Sequence, residues 1–199
     1  MRKWLCLLLC LALGLPLAGA AAPLAEPGLY PQKFLTDAIV DMGREIDAFF
    51  SRADAFLLGR RTYDIFASYW PNVTDPNDPV AGPLNARPKF VASRTRDAFD
   101  WNNTAPIRDV VGEVPGLKQR FGREVQVHGS SDLAQTLIAN NLIDEYRLYV
   151  FPVILGMGKR LFGAGAIPAA LRLVRSITTS TGVVISVYRP AGAVQTGEV

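Results

Sequence analysis

The most informative segment of the chain is Phe56-Leu57-Leu58-Gly59-Arg60-Arg61-Thr62-Tyr63-Asp64-Ile65-Phe66. An apolar run meets a glycine, two arginines and a threonine follow, and a helical apolar pattern then begins. This order predicts a strand, a tight turn and a helix. At such a junction free backbone N–H groups and the positive end of a helix dipole point to one place, and two guanidinium groups favour a phosphate there. A surface turn with solvated arginines is the alternative interpretation.

The composition fits one folded domain. The chain has 199 residues, of which 49% are hydrophobic and 20% are charged, so a sizeable core is expected and disorder is not. The formal net charge is +3, and no basic stripe is interleaved with aromatic residues. We therefore expect no nucleic-acid partner.

The N-terminus has the layout of a secretory signal peptide. A basic start precedes an apolar run over residues 4–17, and Ala18-Gly19-Ala20 has the small-x-small pattern of a cleavage site. The run is shorter than the roughly 20 residues of a membrane-spanning helix. Cleavage after Ala20 would lower the net charge from +3 to +1 and would remove both cysteines. We expect a signal-peptide-like or mistranslated leader over residues 1–20, an irregular connector over 21–40, the folded domain over 41–190 and a tail over 191–199.

Strand and helix patterns alternate along the domain. We predict strands over residues 55–58, 89–93, 124–128, 145–154, 171–177 and 183–188, and helices over residues 41–50, 62–69, 80–85 and 131–140. A weaker helix over 109–121 is expected to be interrupted at Pro115 and Gly116. Such alternation indicates an α/β fold with helices on both faces of the sheet, and the last two strands are expected to form an antiparallel pair.

Three of the predicted strands end in turns that suit a phosphate. The turns are Gly59-Arg60-Arg61-Thr62, Ser93-Arg94-Thr95 and Gly129-Ser130-Ser131. Ligands of open α/β sheets bind at the carboxyl ends of the strands, so a molecule with several phosphates, such as a dinucleotide, fits this edge. The arginines favour a 2′-phosphate and hence NADP over NAD. Taken singly, each turn is typical of a structural connection, and Ser130 or Ser131 would make a good helix N-cap.

The same turns, with further motifs, carry a resemblance to a known family. These motifs are Val91-Ala92-Ser93-Arg94-Thr95, Val127-His128-Gly129-Ser130, Ile143-Asp144-Glu145-Tyr146-Arg147-Leu148 and Phe151-Pro152-Val153-Ile154-Leu155-Gly156-Met157-Gly158-Lys159-Arg160-Leu161-Phe162. From about residue 41 to residue 190 the chain resembles the dihydrofolate reductase-like proteins related to the reductase domain of the bifunctional riboflavin deaminase-reductase. The resemblance implies a mostly parallel central sheet flanked by helices, with an antiparallel C-terminal strand pair.

The resemblance also implies an activity and site residues. It implies an NADPH-dependent reductase of the 5-amino-6-(5-phosphoribosylamino)uracil reductase-like class, which transfers hydride to a small heterocyclic or sugar-phosphate substrate. The residues implied for NADPH are Gly59, Arg60, Arg61, Thr62, Ser93, Arg94, Thr95, Gly129, Ser130 and Ser131. Those implied near the nicotinamide and substrate are Phe151, Pro152, Gly156 and Lys159. No metal is implied, no catalytic residue is assigned, and the lone His128 is expected to pack rather than to catalyse. The resemblance further implies a homodimer.

One departure from the family pattern bears on function. Family members begin with a first strand that ends in a Ser-x-Asp-Gly-like segment, and residues 4–40 here do not continue that pattern. Either a secretion signal replaces the strand or the segment was read in a shifted frame, although the leucine-rich run over residues 5–13 could itself pair as the strand. We expect a cytoplasmic enzyme if this N-terminus is an artefact and an exported protein otherwise. The alternatives are a non-catalytic or truncated member and an exported protein that binds a phosphorylated ligand.

Overall fold

The computed structural model describes residues 4–10, 37–38, 40–154, 160–162 and 167–194. Its strands are β1 (Trp4–Cys10), β2 (Ala53–Gly59), β3 (Lys89–Ala92), β4 (Thr104–Ile107), β5 (Glu124–His128), β6 (Glu145–Val150), β7 (Leu171–Thr178) and β8 (Val184–Pro190). Its helices are α1 (Gly43–Phe50), α2 (Arg60–Tyr69), α3 (Ala81–Ala86), α4 (Val110–Arg120) and α5 (Ser131–Ala139), with a 3-10 turn at Trp70–Asn72. No helix among these described residues is both long enough and apolar enough to cross a bilayer.

All eight strands form one sheet in the order β4-β3-β2-β5-β1-β6-β8-β7. The six strands from β4 to β6 pair in parallel, whereas β8 pairs antiparallel with β6 and β7 pairs antiparallel with β8. The α/β class, the mostly parallel centre and the antiparallel C-terminal pair are thereby confirmed.

The apolar N-terminal run supplies a strand at the centre of this sheet. In β1, Leu5 lies opposite Val125 of β5 and Cys10 lies opposite Tyr149 of β6. This is the arrangement considered from the sequence in which the leucine-rich run pairs as the first strand. The rest of the expected leader and most of the connector lie outside the described residues, as do residues 195–199 of the tail, so these boundaries remain predictions.

The core has one apolar cluster on each face of the sheet. Helices α1, α2 and α3 belong to the first face, where Phe49, Phe56 and Trp70 are buried. Helices α4 and α5 belong to the second face, where Val114 and Leu137 are buried. Burying a side chain of this size contributes roughly 1.5–3 kcal/mol relative to leaving it exposed. The two clusters fix the sheet between its helices and hold the carboxyl ends of the parallel strands at one edge.

Two local features differ from the sequence prediction. Strand β4 was not predicted from the sequence. It lies at the sheet edge, where β3 is its one partner among the described strands, and it contains Pro106, whose missing N–H is tolerated at an edge. Helix α4 runs without interruption through Pro115, so the predicted break is wrong. The carbonyl that Pro115 leaves without a helical donor belongs to Val111, which is 41% exposed, and water can therefore replace the lost hydrogen bond.

Candidate functional site

A cavity of about 650 Å³ opens at the carboxyl ends of β2, β3 and β4, where α2, α4 and α5 begin. The structure brings eight of the ten predicted cofactor residues to its wall: Gly59, Arg60, Arg61, Thr62, Ser93, Arg94, Ser130 and Ser131. Thr95 is exposed and Gly129 precedes the wall residue Ser130, and neither lines the cavity itself. The three turns predicted separately from sequence therefore surround one space.

Two helices start at this cavity without a side-chain cap. The N-cap of α2 is Gly59, and the N-cap of α5 is Ser130, whose side chain makes no capping hydrogen bond to its own helix. The Ser130 hydroxyl instead accepts a hydrogen bond from Gly59 N at 2.8 Å and lies 2.9 Å from the Thr62 hydroxyl and from the His128 carbonyl oxygen. Ser130 is therefore the N-cap residue, one of the two predicted, but its side chain does not cap the helix. Its hydroxyl links the starts of α2 and α5 and makes no hydrogen bond to the first N–H groups of α5.

The glycines of the two turns are required for different reasons. A Cβ at Gly59 would lie 3.1 Å from Ser130 Oγ and 3.2 Å from Ser130 Cβ, so glycine allows the turns to approach each other. At Gly129 the nearest atom to such a Cβ would be Thr62 Oγ1 at 3.6 Å, an ordinary contact. The requirement at Gly129 is its φ of +54°, since side-chain residues rarely adopt it. Ser130 follows with a φ of +58°, an unusual conformation of the kind found at binding sites.

The third helix that starts at the cavity is capped by its own acidic side chains. The Asp109 carboxylate accepts a hydrogen bond from Gly112 N at 3.1 Å. Glu113 Oε1 accepts from the backbone N–H groups of Arg108 and Asp109, both at 2.8 Å. The N-terminus of α4 thus has side-chain caps, whereas those of α2 and α5 have none among the described residues.

Four arginines line the cavity. Arg60, Arg61 and Arg94 are exposed and have no carboxylate partner among the described residues. The fourth, Arg108, donates hydrogen bonds to the Ser93 carbonyl oxygen and to the Asp97 carboxylate. The sequence reasoning missed Arg108, which follows β4 as the other turns follow their strands. Recognising β4 as a strand would have revealed this fourth junction.

His128 lies at the end of β5 but is enclosed. Its side chain is 2% exposed, and its ring stacks on Phe50 with 4.7 Å between centroids. Burial, aided by the nearby Arg147 charge, lowers the pKa of His128 to about 3, so the ring is neutral under physiological conditions. Its Nε2 lies 3.3 Å from Gln126 Oε1. This environment supports a packing role. Among the described residues, no group of three or more His, Cys, Asp or Glu side chains is arranged to hold a metal ion.

The two predicted substrate residues that the structure describes, Phe151 and Pro152, do not line this cavity. Phe151 is buried in the cluster on the α1–α3 face of the sheet. Pro152 is exposed and lies beside Gly182, where a Cβ would be 3.5 Å from Pro152 Cγ. Gly156 and Lys159 lie outside the described residues. The structure therefore brings together the predicted cofactor residues, while the role of these four residues remains a prediction.

A second cavity, of about 930 Å³, lies on the other side of α2. Its wall includes Arg96, but that guanidinium is already paired, since Nη1 donates to Asp64 Oδ1 at 2.6 Å. The same guanidinium lies 5.2 Å from the centroid of the Tyr63 ring and 5.1 Å from that of Phe99. The larger cavity therefore presents a neutralised arginine, whereas three of the four arginines of the smaller cavity have no carboxylate partner among the described residues.

Comparison with known proteins identifies the family. Residues 26–185 match the model of the RibD C-terminal domain. YyaP of Bacillus subtilis (strain 168), an uncharacterised protein, is 34% identical over 153 residues, which cover 75% of this chain and 81% of YyaP.

Solved structures share the fold at low identity. RibD of Acinetobacter baumannii matches with a TM-score of 0.63 and 13% identity over 96% of this chain and 58% of that one. A pyrimidine reductase-like protein of Corynebacterium diphtheriae matches with a TM-score of 0.56 and 13% identity over 96% and 93% of the two chains. Dihydrofolate reductase of Enterococcus faecalis, complexed with NADP(H), matches with a TM-score of 0.51 and 13% identity over 74% and 82%. The fold is thus of the dihydrofolate reductase-like, reductase class, and the chain belongs to the RibD C-terminal domain family.

Proposed function

We propose that the protein is an NADPH-dependent reductase that acts on a small heterocyclic or sugar-phosphate substrate. The observation that carries the proposal is the smaller cavity, where two helix N-termini without side-chain caps meet three arginines that have no carboxylate partner in the described part of the chain. Membership of the RibD C-terminal domain family supports the reaction class. A solved relative from Thermotoga maritima is named a 5-amino-6-(5-phosphoribosylamino)uracil reductase and deaminase, with a TM-score of 0.59 and 15% identity, which supports this substrate class.

The donors of the cavity fit the pyrophosphate of a dinucleotide. The N-termini of α2 and α5, which have no side-chain cap, supply the positive ends of two helix dipoles, and Arg60 and Arg61 add positive charge beside them. Gly59 lets the backbone come close to a ligand because it has no side chain. A hydrogen bond to a charged phosphate contributes roughly 1.5–3 kcal/mol, so a few such contacts suffice for micromolar binding.

The other end of the cavity suits the adenosine and its 2′-phosphate. Arg94 follows β3 and supplies a guanidinium that no described carboxylate pairs with, and the apolar side chains of Ile107, Val111 and Leu133 share the same wall. An apolar surface beside a cation is the chemistry that a purine nucleoside with a 2′-phosphate requires. Arg94 is therefore the residue that would favour NADPH over NADH.

The protein's contribution to the reaction is binding and orientation. Bound NADPH would supply the hydride, and the described residues that line the cavity would hold its pyrophosphate and 2′-phosphate in place. Hydride transfer depends mainly on proximity and orientation, so none of the described residues has to act as a proton donor. The buried, neutral His128 is not placed to be one. Phe151 and Pro152 are proposed to border the nicotinamide and the substrate.

The proposal is tested by titrating the purified full chain with NADPH and following the cofactor's fluorescence. We expect saturable binding, with NADH binding more weakly by at least about tenfold, because NADH lacks the 2′-phosphate. A correctly folded sample that shows no saturable binding of NADPH would contradict the proposal.

A binding protein without reductase activity would share the same cavity. Such a protein would bind adenosine 2′,5′-bisphosphate and NADPH alike but would oxidise no NADPH with any pyrimidine or sugar-phosphate acceptor. Cell fractionation separates the two as well. We propose a cytoplasmic location because NADPH is a cytoplasmic cofactor, and recovery of the protein outside the cytoplasm would favour the binding protein.

A further inference from the structure

Arg108 holds the turn that carries Arg94. The guanidinium donates from Nη1 to the carbonyl oxygen of Ser93 and from Nη2 to the carboxylate of Asp97, and so spans both ends of the turn. The backbone strengthens the link, since Ser93 N donates to the Ile107 carbonyl oxygen at 3.2 Å. Arg94 lies between the two anchored residues and has no partner among the described residues.

Arg108 differs from the other arginine that holds this turn. Arg96 donates its backbone N–H to Ser93 Oγ at 3.1 Å, and its guanidinium pairs with Asp64 on the wall of the larger cavity. Arg108 instead lies on the wall of the smaller cavity, the same wall that holds Arg94. Only Arg108 can therefore combine support of the turn with contact to a ligand in that cavity.

The ion pair between Arg108 and Asp97 is exposed to solvent. The Asp97 side chain is 85% exposed and that of Arg108 is 37% exposed, so water competes with their ion pair. Exposed pairs of this kind contribute little to stability. A phosphate monoester carries a charge of about −1.5 to −2 at neutral pH and has three acceptor oxygens, which makes it a stronger partner than one carboxylate.

We propose that Arg108 is a second guanidinium ligand of the 2′-phosphate, and that Asp97 occupies its place as an internal competitor until the phosphate binds. The inference rests on the proposed function, since it assigns a specificity-determining role within the same cofactor site. Arg108 keeps its bond to the Ser93 carbonyl and exchanges only the Asp97 carboxylate. A ligand without the 2′-phosphate offers nothing for this exchange, so Arg108 favours NADPH over NADH, and the competing Asp97 reduces that preference.

The proposal predicts that two substitutions change NADPH affinity in opposite directions. Asp97→Asn removes the competitor and should tighten NADPH binding, whereas Arg108→Gln removes a phosphate ligand and should weaken it. A purely structural role predicts something else, because both substitutions would then loosen the turn and weaken every nucleotide. The sign of the Asp97→Asn effect therefore separates the two roles even where Arg108→Gln disturbs the turn.

The experiment measures dissociation constants of the full chain and its variants for NADPH, NADH and adenosine 2′,5′-bisphosphate. Arg123→Gln is the matched control, since Arg123 is an exposed arginine paired with Asp54 at the opposite edge of the sheet. We expect Asp97→Asn to tighten NADPH and the bisphosphate by about two- to fivefold with NADH unchanged. We expect Arg108→Gln to weaken NADPH at least about tenfold with NADH changed less than about threefold.

Three outcomes overturn the inference. Weaker or unchanged NADPH binding in Asp97→Asn contradicts the competitor role. Equal losses of NADPH and NADH in Arg108→Gln reduce Arg108 to structural support. In both cases binding of NADPH by the unsubstituted chain leaves the proposed function standing. If the unsubstituted chain binds none of the three nucleotides, the proposed function and the inference fall together.

Discussion

The two cavities on either side of α2 differ in what their arginines already contact. In the larger cavity Arg96 is paired with Asp64 and packed against aromatic rings, so its charge is used within the fold. In the smaller cavity Arg60, Arg61 and Arg94 have no carboxylate partner among the described residues. The comparison teaches that size does not identify an anion site, since the larger volume holds the neutralised cation. Under the proposed function, the anion site is marked instead by arginines without a carboxylate partner among the described residues, beside helix N-termini without side-chain caps.

The largest effect is expected where the two turns of the smaller cavity touch. Gly59→Val would place branched carbons against Ser130, where even a single Cβ lies 3.1 Å from Oγ. The turns would separate and the N–H groups of α2 and α5 would no longer converge, so NADPH affinity should fall by more than about thirtyfold, as measured by fluorescence titration.

A glycine in an open position provides the control for that substitution. A Cβ at Gly116, inside α4, meets no atom within 4 Å. Gly116→Ala should leave NADPH affinity unchanged and raise the free energy of unfolding by about 0.5–1 kcal/mol. Similar losses of NADPH affinity in both variants would show that the effect of Gly59→Val does not arise from the contact between Gly59 and Ser130.

An intermediate effect concerns a buried lysine beside the larger cavity. Lys89 is fully buried, donates from Nζ to the Leu84 and Arg87 carbonyl oxygens at 2.7 and 3.0 Å, and lies 4.5 Å from the Trp101 ring centroid. Burial lowers the pKa of Lys89 to about 8 from its ordinary 10.5. Between these two values the unfolded chain binds more protons than the folded one, so the stability contribution rises with pH over that window.

This pH dependence is measured by urea unfolding of the unsubstituted chain and of Lys89→Met. The free energy of unfolding of the unsubstituted chain should rise relative to that of Lys89→Met as the pH increases from 8 to about 10.5. Profiles that stay parallel across that range would show that the ammonium group is as well accommodated in the fold as in water.

The smallest effect is expected from breaking the pair in the larger cavity. Asp64→Asn removes one carboxylate partner of Arg96, which still has Asp100 at 3.9 Å, and the side chains of Asp64 and Arg96 are partly exposed, at 47% and 30%. The free energy of unfolding should fall by no more than about 1 kcal/mol. NADPH affinity should change by less than about threefold, since Arg96 faces the other cavity. A tenfold change in NADPH affinity would show that the two cavities are not independent.

Local patterns predicted most of the fold. The strands over residues 124–128 and 89–92 and the helix that begins after Gly59 are marked by runs of apolar residues and by turn residues next to them. Strand β4 was missed because it is short, contains Pro106 and lies at an edge, where one partner strand rather than local propensity defines it. The uninterrupted α4 was missed because the effect of Pro115 depends on the exposure of Val111, which sequence does not reveal.

The sequence predicted most residues of the candidate site but not the contacts between them. The three turns share one edge because parallel strands end there, which the strand pattern implies. The Ser130 bridge to Gly59 joins residues 71 positions apart, and Arg108 meets Asp97 only because β3 and β4 pair. These contacts depend on strand order, which local sequence does not specify. The central place of β1 also required the structure, since its leucine-rich composition indicated a leader more strongly than a strand.

The central claim is that the smaller cavity binds the pyrophosphate of NADPH and that Arg94 binds the 2′-phosphate. The most direct measurement compares the dissociation constants of NADPH and NADH for the unsubstituted chain and for Arg94→Ala. We predict that the substitution weakens NADPH by about tenfold to a hundredfold and NADH by less than about threefold. Equal losses for the two nucleotides, or no loss for either, would contradict the account.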